Sequence, residues 1–215
     1  KGGKKSFVNQ WNSDFTDEQQ LAVRRYSGSG YRKMNNILRG IISATPTEQK
    51  EIEALKSVFK KNSLPKDTVL IRGEDLSFAL PKIPDELVVK LQEGTDIKAV
   101  AEFFNKYISK NGPIKRSNKG CVSTSCYKKA AFSYKDFFRV IEYPAGTPAI
   151  PVSVVSSSDN SSLDYSTGKI NVDKLKETSQ YEENEILIGP GEETEAYKAD
   201  VINNKLVFFE RKTHK

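Results

Sequence analysis

The sequence predicts an α+β fold: N-terminal helices packed on a mixed, mostly antiparallel two-sheet β core. Three observations carry this. Up to about residue 110, apolar residues recur at helical spacing behind N-cap signals. From about residue 115 the pattern changes to short runs of β-branched and aromatic residues separated by Pro, Gly, Asn and Ser. One such run, "TVLIRGED", comes early, near residue 70, and is expected to join the later strands. No repeat or long linker interrupts the 215 residues. The expectation is one domain over 1–215, with a helical front at about 10–110 and a β-rich core at about 67–73 and 118–212.

In chain order, "SDFTDEQQLAVRRYS" opens with Thr16 as N-cap and with Glu and Gln in the first turn, which is capping-box chemistry. After a Ser-Gly-Ser-Gly break, "YRKMNNILRG" ends on Gly40, a C-cap signal. "TPTEQKEIEALKSVFKKN" sets Ile52, Leu55 and Phe59 on one stripe. "IPDELVVKLQEG" and "DIKAVAEFFNKYISKNG" continue the helical pattern. The strands expected beyond them are "CVSTSCY", "FFRVIEY", "AIPVSVVS", "NEILIG", "TEAYKADVI" and "KLVFFERK". "SSSDNSSLDYSTG" is a polar loop between them.

With 37% hydrophobic and 29% charged residues the chain has the composition of a globular protein. No apolar stretch approaches the ~20 residues of a membrane span. The opening "KGGKKSFVNQ" has no apolar signal-peptide core. The expectation is a secreted protein whose leader is absent from this chain. Two cysteines, Cys121 and Cys126, cannot form a disulfide framework or complete a zinc site. Small buried hydrophobes are their default reading, and a mutual disulfide is the alternative. The single histidine, His214, is penultimate, which argues against most Ser-His-Asp, Cys-His and His-metal chemistries. Catalysis must then run on Glu, Asp, Arg, Ser, Tyr or Lys.

The net charge of +6 is uneven: residues 1–66 carry 13 Lys and Arg against 6 Asp and Glu, and residues 155–201 carry 4 against 11. The basic part has no helix-turn-helix punctuation, zinc spacing or interleaved aromatics, so nucleic acid is not the expected partner. An anionic dinucleotide would use the same cations in smaller number.

Three short pieces carry candidate chemistry. "VLIRG" ends an apolar strand on Arg72. "GCVSTSCY" puts Ser123 and Ser125 on one face of a strand and Thr124 on the other. "QYEENEILIGPG" places Glu183 and Glu185 about 7 Å apart on one face, with Ile186 and Ile188 turned inward. Taken singly each is bland. Arginines commonly end strands, hydroxyl runs are β-compatible surface, and Glu-x-Glu recurs at Glu51/Glu53 and Glu193/Glu195.

Taken together, in this order, the pieces resemble the mono-ADP-ribosyltransferase toxins of the Arg/Ser-Thr-Ser/Glu-x-Glu class. That class includes the clostridial Rho-modifying exoenzymes and the enzymatic components of iota-like binary toxins. The resemblance extends to "YSGSGYRKMNNILRG", similar to the family's helix along the NAD cleft, with Tyr26, Tyr31, Asn35 and Arg39 on matching positions. "FFRVIEYPAGTPAI" is similar to the strand after Ser-Thr-Ser, with Arg139 matching a phosphate-contacting arginine. Ile71 and Val122 stand where the family often has aromatics.

The resemblance implies that NAD is consumed as co-substrate, with no prosthetic group and no metal. It makes Arg72, Ser123, Glu183 and Glu185 the catalytic set. Tyr26, Tyr31, Asn35, Arg39, Arg72, Gly73 and Arg139 would bind NAD, and Tyr181 would touch the protein substrate. Family members with Gln at the first Glu-x-Glu position typically modify asparagine on Rho-type proteins, and those with Glu modify arginine; this chain has Glu183. The implied activity is transfer of ADP-ribose to an arginine of a host protein, actin or another cytoskeletal protein being the family-based guess, by a monomer acting in the host cell. A dedicated NAD glycohydrolase, a transferase acting on a Rho-type GTPase, and a non-catalytic binding domain remain as alternatives.

Overall fold

The computed structural model describes residues 6–78, 81–126, 134–155, 163–164, 166–171, 173 and 185–213. Its elements in chain order are α1 (Phe7–Ser13), α2 (Asp17–Arg25), a π-type turn (Tyr26–Gly30), α3 (Tyr31–Leu38), α4 (Pro46–Lys61), β1 (Thr68–Glu74), α5 (Asp85–Glu93) and α6 (Ile97–Asn111), followed by β2 (Ile114–Asn118), β3 (Val122–Ser125), β4 (Phe137–Tyr143), β5 (Ala149–Pro151), β6 (Leu163–Asp164), β7 (Lys169–Ile170), β8 (Glu185–Ile188), β9 (Glu192–Ile202) and β10 (Lys205–Lys212). They fall into two compact units. The first comprises Lys1–Pro65, Lys119–Val122 and Gly146–Gly191; the second comprises Lys66–Asn118, Ser123–Ala145 and Glu192–Lys215.

In the first unit, α2 and α4 both start on capping boxes, Thr16 with Gln19 and Thr45 with Glu48, so orphan N–H groups at each start are satisfied by side chains. Pro46 occupies the first turn of α4, where its missing N–H costs nothing. Between α2 and α3 the chain kinks at Gly28. A side chain at Gly30 would stand 2.7 Å from the Arg25 carbonyl oxygen, so the tight turn needs glycine there. α1 was not legible in the helical pattern. It is held by burial of Phe7 and Trp11, whose rings meet Phe15 at 5.7 and 6.1 Å. Trp11 Nε1 donates to the Gly168 carbonyl at 2.9 Å, and Asn12 brackets Ile170 with two main-chain bonds. The small β6/β7 ribbon is thereby tied to α1. β5 and β8 pair antiparallel, Ile150 opposite Leu187. The strand expected from "AIPVSVVS" stops at Pro151, which lacks a ladder donor, and continues as one 3-10 turn, Val152–Val155.

In the second unit the strand order is β2–β9–β10–β4–β1–β3. All pairings in this run are antiparallel except β10 with β4, which is parallel. The β9/β10 hairpin turns on Asn203 and Asn204, both at positive φ, the asparagine-tolerant geometry of a tight hairpin. α5 and α6 cover this sheet with Phe104, Phe137 and Phe208 stacked edge to face at its centre, ring centroids 4.8 and 5.2 Å apart. Asn105 on α6 bonds both the N–H and the C=O of Ala199 on β9. The fold is α+β as the sequence predicts, but its helices divide between the units: α1–α4 belong to the first and α5–α6 to the second.

Candidate active site

The first unit contributes a polar cluster at α3. Asn35 Nδ2 donates to the Tyr26 hydroxyl at 2.8 Å, and Asn35 Oδ1 accepts the Cys121 N–H at 2.9 Å. Both side chains are buried, so this bridge satisfies polar groups that would otherwise be costly to bury. A side chain at Gly120 would stand 2.7 Å from Asn35 Oδ1 and 3.2 Å from Arg39 Nε; the close approach requires glycine. Tyr26, Asn35 and Arg39 are thus brought to one place, at the entry to β3. Tyr31, one turn away from Asn35 on α3, is exposed, with Arg32 Nε on its hydroxyl at 3.0 Å. Cys121 is a buried thiol, pushed up to about 12 by burial against the opposing Tyr26 hydrogen bond and Arg39 charge. Cys126 is exposed, contrary to the small-hydrophobe expectation, and no disulfide joins the two.

Glu185 is the first residue of β8 and half-buried. Leu187 and Ile188, not Ile186 and Ile188, are the fully buried pair. The far end of this strand is therefore covered on both faces, which a simple alternation does not anticipate. Glu183 and Tyr181 lie outside the described residues.

In the second unit Arg72 is clamped from two sides. Its Nε donates to Glu74 Oε1 at 2.5 Å, and its Nη1 donates to the main-chain carbonyl of Ser123 at 2.8 Å. Two contacts on one planar guanidinium fix its plane as well as its position. Ser123 therefore meets Arg72 through its backbone, and the half-buried Ser123 is followed by fully buried Thr124 and Ser125. Gly73 is buried between Arg72 and Glu74.

Arg139, expected on phosphate, is instead buried among carboxylates. It is 3% exposed and donates to Glu210 through Nε at 3.0 Å and Nη2 at 2.7 Å, and to Glu74 through Nη1 at 3.3 Å. Thr194 Oγ1 accepts a further bond from Nη2 and donates to Glu210. In this arrangement its charge is spent on carboxylates. Arg116 completes the array, its Nε 2.9 Å from Glu210 Oε1 as an ion pair without hydrogen-bond alignment, its guanidinium over the rings of Phe137 and Phe208. Burial pushes the Glu210 carboxyl up, but Arg139, Arg116 and the hydrogen bonds outweigh it and hold the group below the usual carboxylate range. Glu74, Arg116, Thr194 and Glu210 were absent from the sequence-derived site. The signal was available for Glu210, which alternates with Phe208 on the inward face of "LVFFERK".

A family model for the ADP-ribosyltransferase exoenzymes matches residues 3–214. The chain belongs to that family. Comparison with curated proteins gives no match. Among solved structures, this ADP-ribosyltransferase exoenzyme is similar to the Clostridium limosum C3 exoenzyme, with TM-score 0.70 and 16% identity over 99% of this chain and 98% of that one. It is similar to C3stau2 from S. aureus, solved with NAD, with TM-score 0.68, 17% identity and full coverage of both chains. It also matches BECa, an ADP-ribosylating toxin of a C. perfringens binary enterotoxin solved with NADH, with TM-score 0.65 and 18% identity over 96% of this chain and 46% of that one. At these identities the structural likeness establishes the fold; membership rests on the family model. The co-substrate of ADP-ribosyl transfer is NAD. Among the described residues no cluster of His, Cys, Asp and Glu could hold a metal, and no helix is long and apolar enough to cross a membrane.

Proposed function

We propose that this exoenzyme cleaves the nicotinamide–ribose bond of NAD and transfers ADP-ribose to an arginine of a host protein, with NAD glycohydrolysis when no acceptor is bound. The observation that carries the reading is the clamp on Arg72: a strand arginine held in one plane beside the Ser-Thr-Ser backbone is a preorganised anion fork. With Arg39 it would take the NAD pyrophosphate. Gly73 would admit the nicotinamide ring, and Tyr26, Tyr31 and Asn35 would line the dinucleotide.

In the reaction the bond from ribose C1′ to the nicotinamide nitrogen breaks, and nicotinamide leaves with the bonding pair. Positive charge develops on the ribose. Glu185 would stabilise it from the 2′-hydroxyl, a task worth about 3–4 kcal/mol for one preorganised partner, and Ser123 would belong to the same catalytic set. An acceptor arginine nitrogen then bonds to C1′ and gives up a proton. Glu183 would orient that guanidinium and accept the proton, which a glutamine could not. Tyr181 would contact the protein carrying it. The family match runs through the residues of both units. Secretion, action in a host cell as a monomer, and a cytoskeletal target such as actin complete the reading.

The test is labelled NAD with host-cell lysate, followed by mass spectrometry of the modified band. Labelled arginine supports the proposal. Label on asparagine of a Rho-type protein, or nicotinamide release with no labelled protein, refutes the acceptor assignment.

A further inference from the structure

We infer that Glu74 is a positioning residue for NAD binding, holding the Arg72 guanidinium in its binding orientation while braced from behind by the buried Arg139–Glu210–Arg116 array. The inference rests on Arg72 being an NAD-contacting group. The register supplies the physical reason. Arg72 on β1 stands directly opposite Arg139 on β4, so two guanidinium groups share one cross-strand site. Like charges in that relation repel unless an anion stands between them. Glu74 lies two residues beyond Arg72 on the same face of β1 and is buried. One oxygen, Oε1, accepts from both arginines, at 2.5 Å from Arg72 Nε and 3.3 Å from Arg139 Nη1. Glu74 thus turns a repulsive pair into a bridged one.

The rest of the array keeps Glu74 from following either partner. Arg139 is held through two nitrogens by Glu210, which is fully buried and also faces Arg116 and Thr194. A carboxylate braced by an immobile cation presents its oxygen at a fixed point, and of the three arginines in the array Arg72 is the most exposed, its side chain 20% accessible. An arginine already ordered before NAD arrives loses less rotamer freedom on binding, so the array contributes to affinity without touching the dinucleotide.

The test is a double-mutant cycle on NAD affinity, measured by calorimetry, with kcat of nicotinamide release and the melting temperature recorded for each variant. Glu74→Gln should weaken NAD about tenfold, the middle of the coupling range for groups in one ion network. In an Arg72→Gln background, adding Glu74→Gln should cause no further loss. A purely structural Glu74 would lower the melting temperature at unchanged NAD affinity, or its loss would multiply with that of Arg72→Gln; either overturns the inference. Glu74→Asp guards against misfolding: it keeps the negative charge between the two arginines but withdraws the oxygen that holds Arg72 Nε. It should melt near the wild type yet bind NAD more weakly, and wild-type affinity in it also overturns the inference. If Arg72→Gln itself leaves NAD affinity unchanged, the site assignment falls and this inference with it. If Arg72→Gln weakens NAD and Glu74→Gln does not, only this inference falls.

Discussion

Glu210→Gln removes one negative charge from the interior of the second unit with almost no change of shape. The wild-type carboxylate is 0% exposed and is the shared partner of two buried arginines, Arg139 at 2.7 Å and Arg116 at 2.9 Å. In the variant, among the described residues, Arg139 keeps one carboxylate partner, Glu74, already engaged with Arg72, and Arg116 keeps none. Breaking a buried ion pair from one side typically costs about 3–5 kcal/mol, because the remaining charge has lost its solvent and its partner. For a chain of this size each kcal/mol moves the melting temperature by about 2–4 °C, so a fall of about 6–20 °C is expected. The assay is thermal unfolding by circular dichroism at neutral pH. The pH dependence gives a second reading. A carboxyl held below its unfolded value of about 4.3 contributes stability that is complete above that value. The contribution is lost as pH falls through the lower folded value. The gap between wild type and Glu210→Gln should therefore be widest at neutral pH and narrow in acid below about pH 4. A drop of less than about 3 °C at neutral pH would refute the reasoning, since it would price the buried charge like a surface one.

Glu185→Gln should abolish both transfer and NAD hydrolysis while leaving NAD affinity within a few-fold, because its contribution is to the transition state; more than about a tenth of wild-type turnover would remove it from that role. Glu183→Gln should lose arginine labelling yet keep most nicotinamide release; equal labelling would make it an ordinary surface acid. Gly120→Ala should weaken NAD binding by driving Asn35 and Arg39 apart from the β3 entry, read by calorimetry and by a parallel fall in melting temperature. Tyr143→Phe should be neutral or slightly stabilising, since the hydroxyl removed is buried without a hydrogen-bond partner among the described residues; a loss beyond about 1 kcal/mol in thermal unfolding would show that the hydroxyl has one.

The elements most legible in sequence were those whose ends carry their own chemistry. Thr16 with Gln19 and Thr45 with Glu48 announce their helices because the caps are local. α1 and β2 were missed because both are short and neither shows a clean apolar period: α1, although Ser6 caps it by accepting the Asn9 N–H, is seven residues of mixed polarity held by distant contacts to Gly168 and Ile170, and β2 is a five-residue strand with Arg116 inward. Arg72 and Asn35 were singled out by type and order. Arg139 was singled out too, for phosphate, but its nitrogens are held by Glu210 and Glu74. The period of "FFRVIEY" puts it on the same face as Phe137 and Ile141, inward, and the carboxylates that make an inward arginine tolerable come from β1 and β10, far apart in sequence.

Strand β10 sits between β9 and β4, in the interior of the second unit's sheet, although it is the last of the described strands in sequence. Its parallel alignment with β4 pairs residues 69 positions apart in sequence, Leu206 opposite Phe137. A ribosome-bound fragment ending before Lys205 would therefore display two unsealed strand edges, on β9 and on β4, and an apolar surface lacking Leu206 and Phe208. Synthesis order and assembly order are opposed here: the sheet's interior is the last part to be made. Folding of this unit has to wait for release of β10, and until then the nascent chain is open to wrong strand partners.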